Sequence, residues 1–424
     1  MKNIIAIILA AGRGTRMKSE TPKILHKILG KTIIGYVLDS VKEAGVSEII
    51  VVAGYGSELL KLEVRGAKVV IQKSLLGSGD AVATAKKVLK NYSGDILVVC
   101  GDTPLIRPET IKKLMEKHSS SGASATILTA ELKDPSGYGR IARNADGKVS
   151  GIVEEINASL YEEVINEINV GTYCFKAGDL FEALSLVKID GKKREVFLTD
   201  TIAVLRGKGK AIESVLAEDP DEAIGVNTRI DLALSTTLLK KRTMYELMLG
   251  GVTIEDPAST IIHPGVKIGK DTTIYSNTVI ESGVEIGSKC RIGPFSRIRP
   301  GVVLDDGVEV GNFVELVRTK IGAGTKVKHH TYLGDSVVGK KVNIGAGTIT
   351  ANYDGKSKNK TIIEDGAFIG VGAVLIAPVH IGAGALVGAG SVVPKNHDVP
   401  KLATVVGVPA RIYKSRKITD RRKK

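Results

Sequence analysis

Two stretches of the 424-residue chain hold residues whose types and spacing could do chemistry. The first is Leu9-Ala10-Ala11-Gly12-Arg13-Gly14-Thr15-Arg16-Met17, which ends the apolar run Ile4–Leu9. Small residues there let the backbone approach a ligand, and successive N–H groups can hold phosphate oxygens. Arg16 adds a guanidinium whose fork suits phosphate, and Lys23, in Thr21-Pro22-Lys23, is a second cation. The loop lacks the Gly-Lys-Ser/Thr ending of an NTPase P-loop and the spacing of a dinucleotide fingerprint. On its glycines alone it also reads as a structural turn. Asp102, in Gly101-Asp102-Thr103-Pro104, offers oxygen to a metal, or is the turn or cap aspartate common after a strand. The second stretch is His329-His330-Thr331-Tyr332. A near-neutral imidazole can act as a base, and a histidine can equally be structural. Adjacent strand residues face opposite ways, so this pair cannot readily chelate one ion.

The elements that must position these residues follow two grammars. Over residues 1–225, strand-like runs alternate with helix-like segments: Ile4–Leu9, Glu48–Ala53, Lys68–Ile71 and Asp95–Cys100 against Ile34–Ala44, Ala81–Leu89 and Glu109–Lys117. This alternation predicts a mostly parallel sheet with helices on both faces. Ligands in such sheets bind outside the carboxyl ends of the strands, where the loops after Leu9 and Cys100 must lie. Residues 228–249 read as one long helix joining the two halves.

Aliphatic residues then recur every sixth position: Ile262, Ile268, Ile274, Ile280, Ile286, Ile292, Ile298, Leu304, Val310 and Leu316. After a slip the series runs Ile363, Ile369, Leu375, Ile381, Val387, Val393. No helix has that period. A prism-shaped coil does, with one short strand and one corner per hexad and the aliphatic side chain pointing inward. Residues 261–400 hold 22 glycines in 140, about twice the usual 7%, as tight corners require. The polar run TANYDGKSKNK, between Ile349 and Ile363, interrupts the repeat and is expected to loop out. Such loops often carry function, and a plain surface insertion is the alternative.

Composition bounds the rest. Apolar residues make up 43%, too many for a disordered chain. Three cysteines, Cys100, Cys174 and Cys290, rule out a disulfide scaffold and fit a reducing cytosol. No apolar run reaches the roughly 18 residues of a membrane span. The apolar start leads straight into the charged glycine loop, so it is not read as a signal peptide. Of the net charge of +14, residues 414–424 (KSRKITDRRKK) supply +6, which reads as a solvated terminus. No aromatic residues are interleaved with its basic ones to stack on bases, so no specific nucleic-acid partner is expected.

Taken together, LAAGRGTRM and PKILH resemble the nucleotidyltransferases that make nucleotide sugars. Further matches follow in order. Gln72 with Gly77-Ser78-Gly79 resembles the family's uracil-facing loop. Gly137-Tyr138-Gly139-Arg140, Glu154 and Asn169 resemble its sugar-phosphate contacts. Asp102 and Asn227 (in Gly225-Val226-Asn227) resemble its two metal ligands. With the hexads, the resemblance covers nearly the whole chain. It is closest to the family of bifunctional UDP-N-acetylglucosamine pyrophosphorylases/glucosamine-1-phosphate N-acetyltransferases of bacterial cell-wall precursor synthesis.

That resemblance implies a Rossmann-like nucleotidyltransferase domain over 1–227, a linker helix over 228–249, a left-handed parallel β-helix over 250–413 and a basic tail over 414–424. It implies Mg²⁺ held by Asp102 and Asn227, and nucleotide contacts from Leu9, Ala10, Gly12, Lys23, Gln72, Gly77, Ser78, Gly139, Glu154, Asn169 and Asn227. Arg16 and Lys23 would stabilise charge on the transferring phosphate and the leaving pyrophosphate. KVKHHTYLGD resembles the acetyltransferase segment, and its match selects His329 over His330 as base. Arg299 would bind the sugar phosphate, with Arg318 taking over the contact of the missing lysine; Tyr332, Asn343 and Asn352 would position substrate, Lys358 would add charge, Tyr353 would join the substrate-binding residues, and Ala346, Gly370 and Ala389 would lie along the acetyl-CoA groove. The substrates implied are UTP, sugar 1-phosphates and acetyl-CoA, in a cytoplasmic homotrimer. Three positions depart from the family: Val317 where lysine is usual, with Arg318 next to it; Val371 where serine is common; and Gly407 where arginine is usual. A single-activity nucleotidyltransferase whose β-helix only assembles the oligomer, or acetylates a different amino sugar, is the alternative.

Overall fold

A computed structural model describes residues 4–54, 56–89, 92–187 and 195–415. Residues 416–424 of the basic tail lie outside them. The fold divides into two compact units, Met1–Leu238 and Leu239–Lys424, and the division falls inside the helix Arg229–Leu249.

The first unit is built on a seven-strand path in the order Ile212–Leu216, Ala125–Glu131, Glu167–Lys176, Asp95–Cys100, Ile4–Ala10, Glu48–Ala53, Lys68–Ile71. All neighbours are parallel except around Glu167–Lys176, which runs antiparallel to both its partners. The central strands are apolar on both sides because helices cover both faces. Ile8, Val51 and Leu97 pack beneath helix Ile33–Glu43 with Val37 and Val41, while Ile7, Val52 and Val98 meet Val82 and Ala85 on the opposite face. A hairpin, Arg140–Arg143 with Val149–Val153, leaves the sheet at the Ile168–Arg140 pair. The helix expected over Ala81–Leu89 spans Ser78–Lys86 instead. Gly77-Ser78-Gly79 is therefore a helix N-terminus, and the backbone turns from Val88 onward by bonding three residues back.

The second unit is a prism of three sheets, one per side, parallel throughout except for the last pair, Ala403–Val406 with Arg411–Ser415, and built of strands mostly two to four residues long. Inward residues stack directly: Ile274 on Ile292, Ile280 on Ile298, Ile286 on Leu304. These partners lie 18 residues apart, three hexads per coil. From Leu304 with Ile321 onward the step is 17, because the corner between Leu316 and Ile321, and after it the one between Leu333 and Val338, is one residue short. Across the insertion it is 25, as for Ile344 with Ile369, so the insertion adds seven residues to one coil. Buried threonines at corners tie successive coils: Thr325 Oγ1 donates to Gly339 O at 2.7 Å and accepts from Val342 N at 3.0 Å.

The insertion does not loop out in full. Thr350 is 1% exposed and takes an inward position opposite Leu375, its hydroxyl accepting from Gly334 N at 2.8 Å. Asn352 is also buried. A threonine can sit inside the prism because a backbone N–H satisfies its oxygen. The excursion proper is closed by an antiparallel Tyr353–Lys358 bridge and an Asp354 turn, in which the backbone N–H groups of Lys356 and Ser357 hold that carboxyl down at about 2.

Because each coil buries its aliphatic residue against two neighbours, Leu333→Ala, at a fully buried position under Leu316, should cost about 2–5 kcal/mol. Val337→Ala, on the outer face at 42% exposure, should cost within about 0.5 kcal/mol. Denaturant midpoints of the two variants check this contrast.

Candidate functional site

In the first unit, strand Ile4–Ala10 lies between Glu48–Ala53 and Asp95–Cys100, with Leu9 opposite both Val52 and Cys100. The loops after Ala10 and Cys100 thus leave the same end of the sheet side by side, and Gly101 N donates to Leu9 O at 2.9 Å. Leu9, Ala10 and Gly12 line the exit of the first strand. The short 3₁₀ turn Lys23–Leu25 returns Lys23 to that end. Its ammonium donates to Asp102 Oδ2 at 2.5 Å and to Asn227 Oδ1 at 2.9 Å. Arg16 Nη2 reaches the same Asn227 oxygen at 3.0 Å. Four residues drawn from positions 16 to 227 therefore meet at one point.

Backbone contacts fix this meeting. Val226 N donates to Asp102 O at 2.8 Å, and Asp231 Oδ2 accepts from the N–H groups of Asn227 and Thr228. Tyr138 stands beside it: burial raises its pKa first, and a hydrogen bond with the Gly225 backbone opposes that, while the charges of Asp231 and Asp102 add to the rise. The Cys100 thiol is pushed up to about 12, by burial first and then by Asp102. At neutral pH it is a thiol and no nucleophile.

A second cluster holds Gly139, Glu154 and Asn169. Asn169 N donates to Gly139 O at 2.8 Å, Glu154 Oε1 accepts from Thr199 at 2.7 Å, and Asn169 Nδ2 donates to Tyr173 at 2.7 Å. A third holds the loop before helix Ser78–Lys86. Gln72 is buried and donates to Asp80 Oδ2 at 2.6 Å and Gly77 O at 3.2 Å, and Ser78 Oγ accepts from Leu198 N at 3.0 Å. One acceptor position of the Ser78 hydroxyl is thus used within the fold, and its O–H is left to donate.

Among the described residues, no group of three or more His, Cys, Asp or Glu could hold a metal. Asp102 and Asn227 do offer two hard oxygens within reach of one cation, the Lys23 ammonium. Two protein oxygens suit a small divalent ion that keeps waters and fills its shell with phosphates.

In the second unit, the candidate residues fall on two adjoining prism sides, the corners that follow them and the insertion. His329 ends strand Lys326–His329, two positions past the inward Val327. Ala346, Val371, Ala389 and Gly407 occupy the same offset from Ile344, Ile369, Val387 and Val405, which stack in register. His329 and the expected groove residues therefore share an edge, and Gly370 lies one position before Val371. His330 does not alternate with His329 across a strand, as the sequence reading assumed. It lies beyond the strand in a left-handed corner (φ 41°) and packs on Phe313, centroids 5.0 Å apart. The equivalent corner residues of the next coils are Gly347, Gly372 and Gly390.

On the adjoining side, Glu315 pairs with Tyr332, and Arg299 Nη1 donates to Glu315 Oε1 at 2.8 Å. Arg318, at φ 48°, grips Asp335 through Nε at 2.5 Å and Nη2 at 2.8 Å, and Asn352 Nδ2 donates to Asp335 Oδ2 at 2.5 Å. The Asp335 carboxyl is held below its usual range by the Arg318 hydrogen bond first, against burial, with help from Asn352 and the charges of Arg318 and Lys358. A Cβ on Gly334 would lie 2.6 Å from Tyr332 Oη and 2.7 Å from Asn352 Nδ2, so those two polar tips converge beside it. Val317, next to the inward Leu316, is 3% exposed and carries no charge. The outward charge at this corner is therefore that of Arg318. Asn343 lies on the neighbouring side, paired with Lys326 and Phe368, and the Tyr353 hydroxyl donates to Gly355 O in its own loop.

Sequence reasoning missed Asp335, Glu315, Asp231 and Asp80, which hold the named residues in place. Asp335 was findable: it lies one 17-residue coil from both Arg318 and Asn352.

Comparison with known proteins matches residues 6–199 to the MobA-like NTP transferase domain. Residues 283–318 and 360–395 match the bacterial transferase hexapeptide (six repeats), and 265–294 the hexapeptide repeat of succinyl-transferase. Relatives named bifunctional protein GlmU match almost end to end. That of Shouchella clausii is 43% identical over 98% of both chains. That of Pelotomaculum thermopropionicum is 45% identical over 89% of this chain and 90% of the relative. That of Geobacillus thermodenitrificans is 44% identical over 96% of both.

Proposed function

The chain belongs to the bifunctional GlmU family, and from that premise we propose how its two units divide the work. The protein acetylates glucosamine 1-phosphate with acetyl-CoA, then converts N-acetylglucosamine 1-phosphate and UTP to UDP-N-acetylglucosamine and pyrophosphate. Residues 1–227 carry uridylyl transfer and residues 250–413, a left-handed β-helix, carry acetyl transfer. The observation that supports this most is the convergence of Lys23, Asp102 and Asn227, separated by 79 and 204 residues in sequence, at the carboxyl end of the sheet.

In uridylyl transfer, an oxygen of the sugar phosphate attacks the α-phosphorus of UTP while the bond to pyrophosphate breaks. The attacking oxygen is already ionised, so no general base is required. Asp102 and Asn227 are the residues that would hold Mg²⁺, which when bound neutralises charge between the two anions. Lys23 and Arg16 supply fixed cations for the transferring phosphate and for the pyrophosphate that leaves. Gln72 and the Gly77–Gly79 helix start bind the base, held by Asp80 and by the Val196–Leu198 segment. Gly139, Glu154 and Asn169 take the sugar.

In acetyl transfer, the amine attacks the thioester carbonyl, the coenzyme A thiolate leaves, and His329 accepts the amine proton. Arg299 and Arg318 bind the sugar phosphate, with Tyr332, Asn343, Asn352, Tyr353 and Lys358 around the sugar. The pantetheine arm lies along the edge of Ala346, Val371 and Ala389. A backbone edge can bind this arm without a serine at 371, which is how we account for Val371. The protein is a cytoplasmic homotrimer in this reading. No described helix is long and apolar enough to cross a membrane.

A coupled assay with acetyl-CoA, glucosamine 1-phosphate, UTP and Mg²⁺ tests the proposal. Omitting acetyl-CoA should stop both products. Supplying N-acetylglucosamine 1-phosphate should restore pyrophosphate release without acetyl-CoA. Release that survives without UTP or without a divalent ion would overturn it.

A further inference from the structure

The proposed metal ligands are already in use by the protein's own cations. Lys23 Nζ lies within 3 Å of both Asp102 Oδ2 and Asn227 Oδ1, and the Lys23 side chain is only 12% exposed. Arg16 Nη2 takes the remaining approach to the Asn227 oxygen at 3.0 Å. A Mg²⁺ ion needs its oxygens at about 2.0–2.1 Å. An ammonium seated between the same two oxygens would then stand against a divalent charge at close range, where repulsion is strong in a partly dehydrated site. The two cations cannot share the place.

We propose that Lys23 and the divalent ion exchange at Asp102 and Asn227, so that the nucleotide-free enzyme binds the free metal weakly and nucleotide binding prepares the metal site. This rests on the assignment of Asp102 and Asn227 as metal ligands. A triphosphate offers Lys23 and Arg16 a denser set of acceptor oxygens than one carboxylate and one amide. Drawing them onto the phosphates bares Asp102 and Asn227 at the moment the metal is wanted. The phosphate loop and Lys23 are in contact: a Cβ on Gly14 would fall 2.6 Å from Lys23 Cβ. Adjustment of the loop around phosphate would therefore move the lysine with it. The lysine serves twice, as counter-ion to the empty ligands and as cation to the phosphates.

The test measures Mn²⁺ binding to full-length, nucleotide-free protein by electron paramagnetic resonance. Lys23→Met should bind Mn²⁺ at least tenfold more tightly than wild type, and Lys23→Gln should follow it. Lys23→Arg keeps the charge and should stay as weak as wild type, which a role confined to packing would not predict. Adding Asp102→Asn to Lys23→Met should return binding to the weak level. If Lys23→Met and Lys23→Gln bind no more tightly than wild type while Asp102→Asn weakens all of them, the exchange is overturned and the ligand assignment stands. If Asp102→Asn changes nothing in the Lys23→Met background, the ligand assignment itself falls, and the exchange with it.

Discussion

Asp102→Ala should lower the rate of pyrophosphate release by about 10²–10³-fold or more, while acetyl transfer continues at the wild-type rate. The magnitude is that of removing one preorganised contributor to transition-state charge in a water-poor site. Among the described residues Asp102 is the one carboxylate in direct contact with Lys23, so its loss would free Lys23 from its anchor and, in the proposed function, strip the metal of a ligand. Both changes act on charge balance and neither acts on binding of the base. The loss should therefore fall on kcat more than on KM for UTP. Separate assays for pyrophosphate and for coenzyme A thiol check it. A decline in both activities would instead indicate a folding defect.

His329→Ala should have the reverse pattern. Acetyl transfer should fall about 10²–10⁴-fold, the usual contribution of a positioned general base, with uridylyl transfer from N-acetylglucosamine 1-phosphate unchanged. His329 is exposed, and among the described residues no side chain is bonded to its ring. Its removal should cost little stability, and the unfolding midpoint should move by less than that of Leu333→Ala. His330→Ala tests the choice between the two imidazoles. Its ring lies against Phe313, which stacks on Phe295 at 5.3 Å, so His330 extends an aromatic ladder. It should reduce acetyl transfer far less than His329→Ala. Equal losses would contradict the assignment of the base.

How much of this was legible in sequence differs by feature, for physical reasons. The prism was legible because an inward position every sixth residue tolerates little except aliphatic side chains, and Ile274, Ile280 and Ile286 declare it. Thr350 hid the same position, because a backbone N–H can satisfy a hydroxyl there and polarity alone reads as outward. The central strands declared themselves through runs buried on both faces, as in DILVVC. The direction of Glu167–Lys176 did not, since parallel and antiparallel pairing leave the same local pattern in one strand. The phosphate loop alone was ambiguous. Resemblance over the chain supplied Asn227, but not the contact of Lys23 with both Asp102 and Asn227, which arises only when three distant segments fold together. His330 looked like a strand residue because nothing in a histidine announces a positive φ. The supporting carboxylates of Asp335 and Glu315 were missed because their partners lie a coil away: the 17 residues from Arg318 to Asp335 and from Asp335 to Asn352, and the 16 from Arg299 to Glu315, are not multiples of the six-residue pattern.

The central claim is that one chain carries two independent sites whose products connect. It is tested most directly by following phosphorus-31 resonances in one vessel containing glucosamine 1-phosphate, acetyl-CoA, UTP and Mg²⁺. Asp102→Ala alone should stop at N-acetylglucosamine 1-phosphate, and His329→Ala alone should leave glucosamine 1-phosphate unchanged. Mixed together, the two variants should carry the reaction through to UDP-N-acetylglucosamine. If each variant is silent in both steps, or the mixture makes no nucleotide sugar, the division of labour described here is wrong.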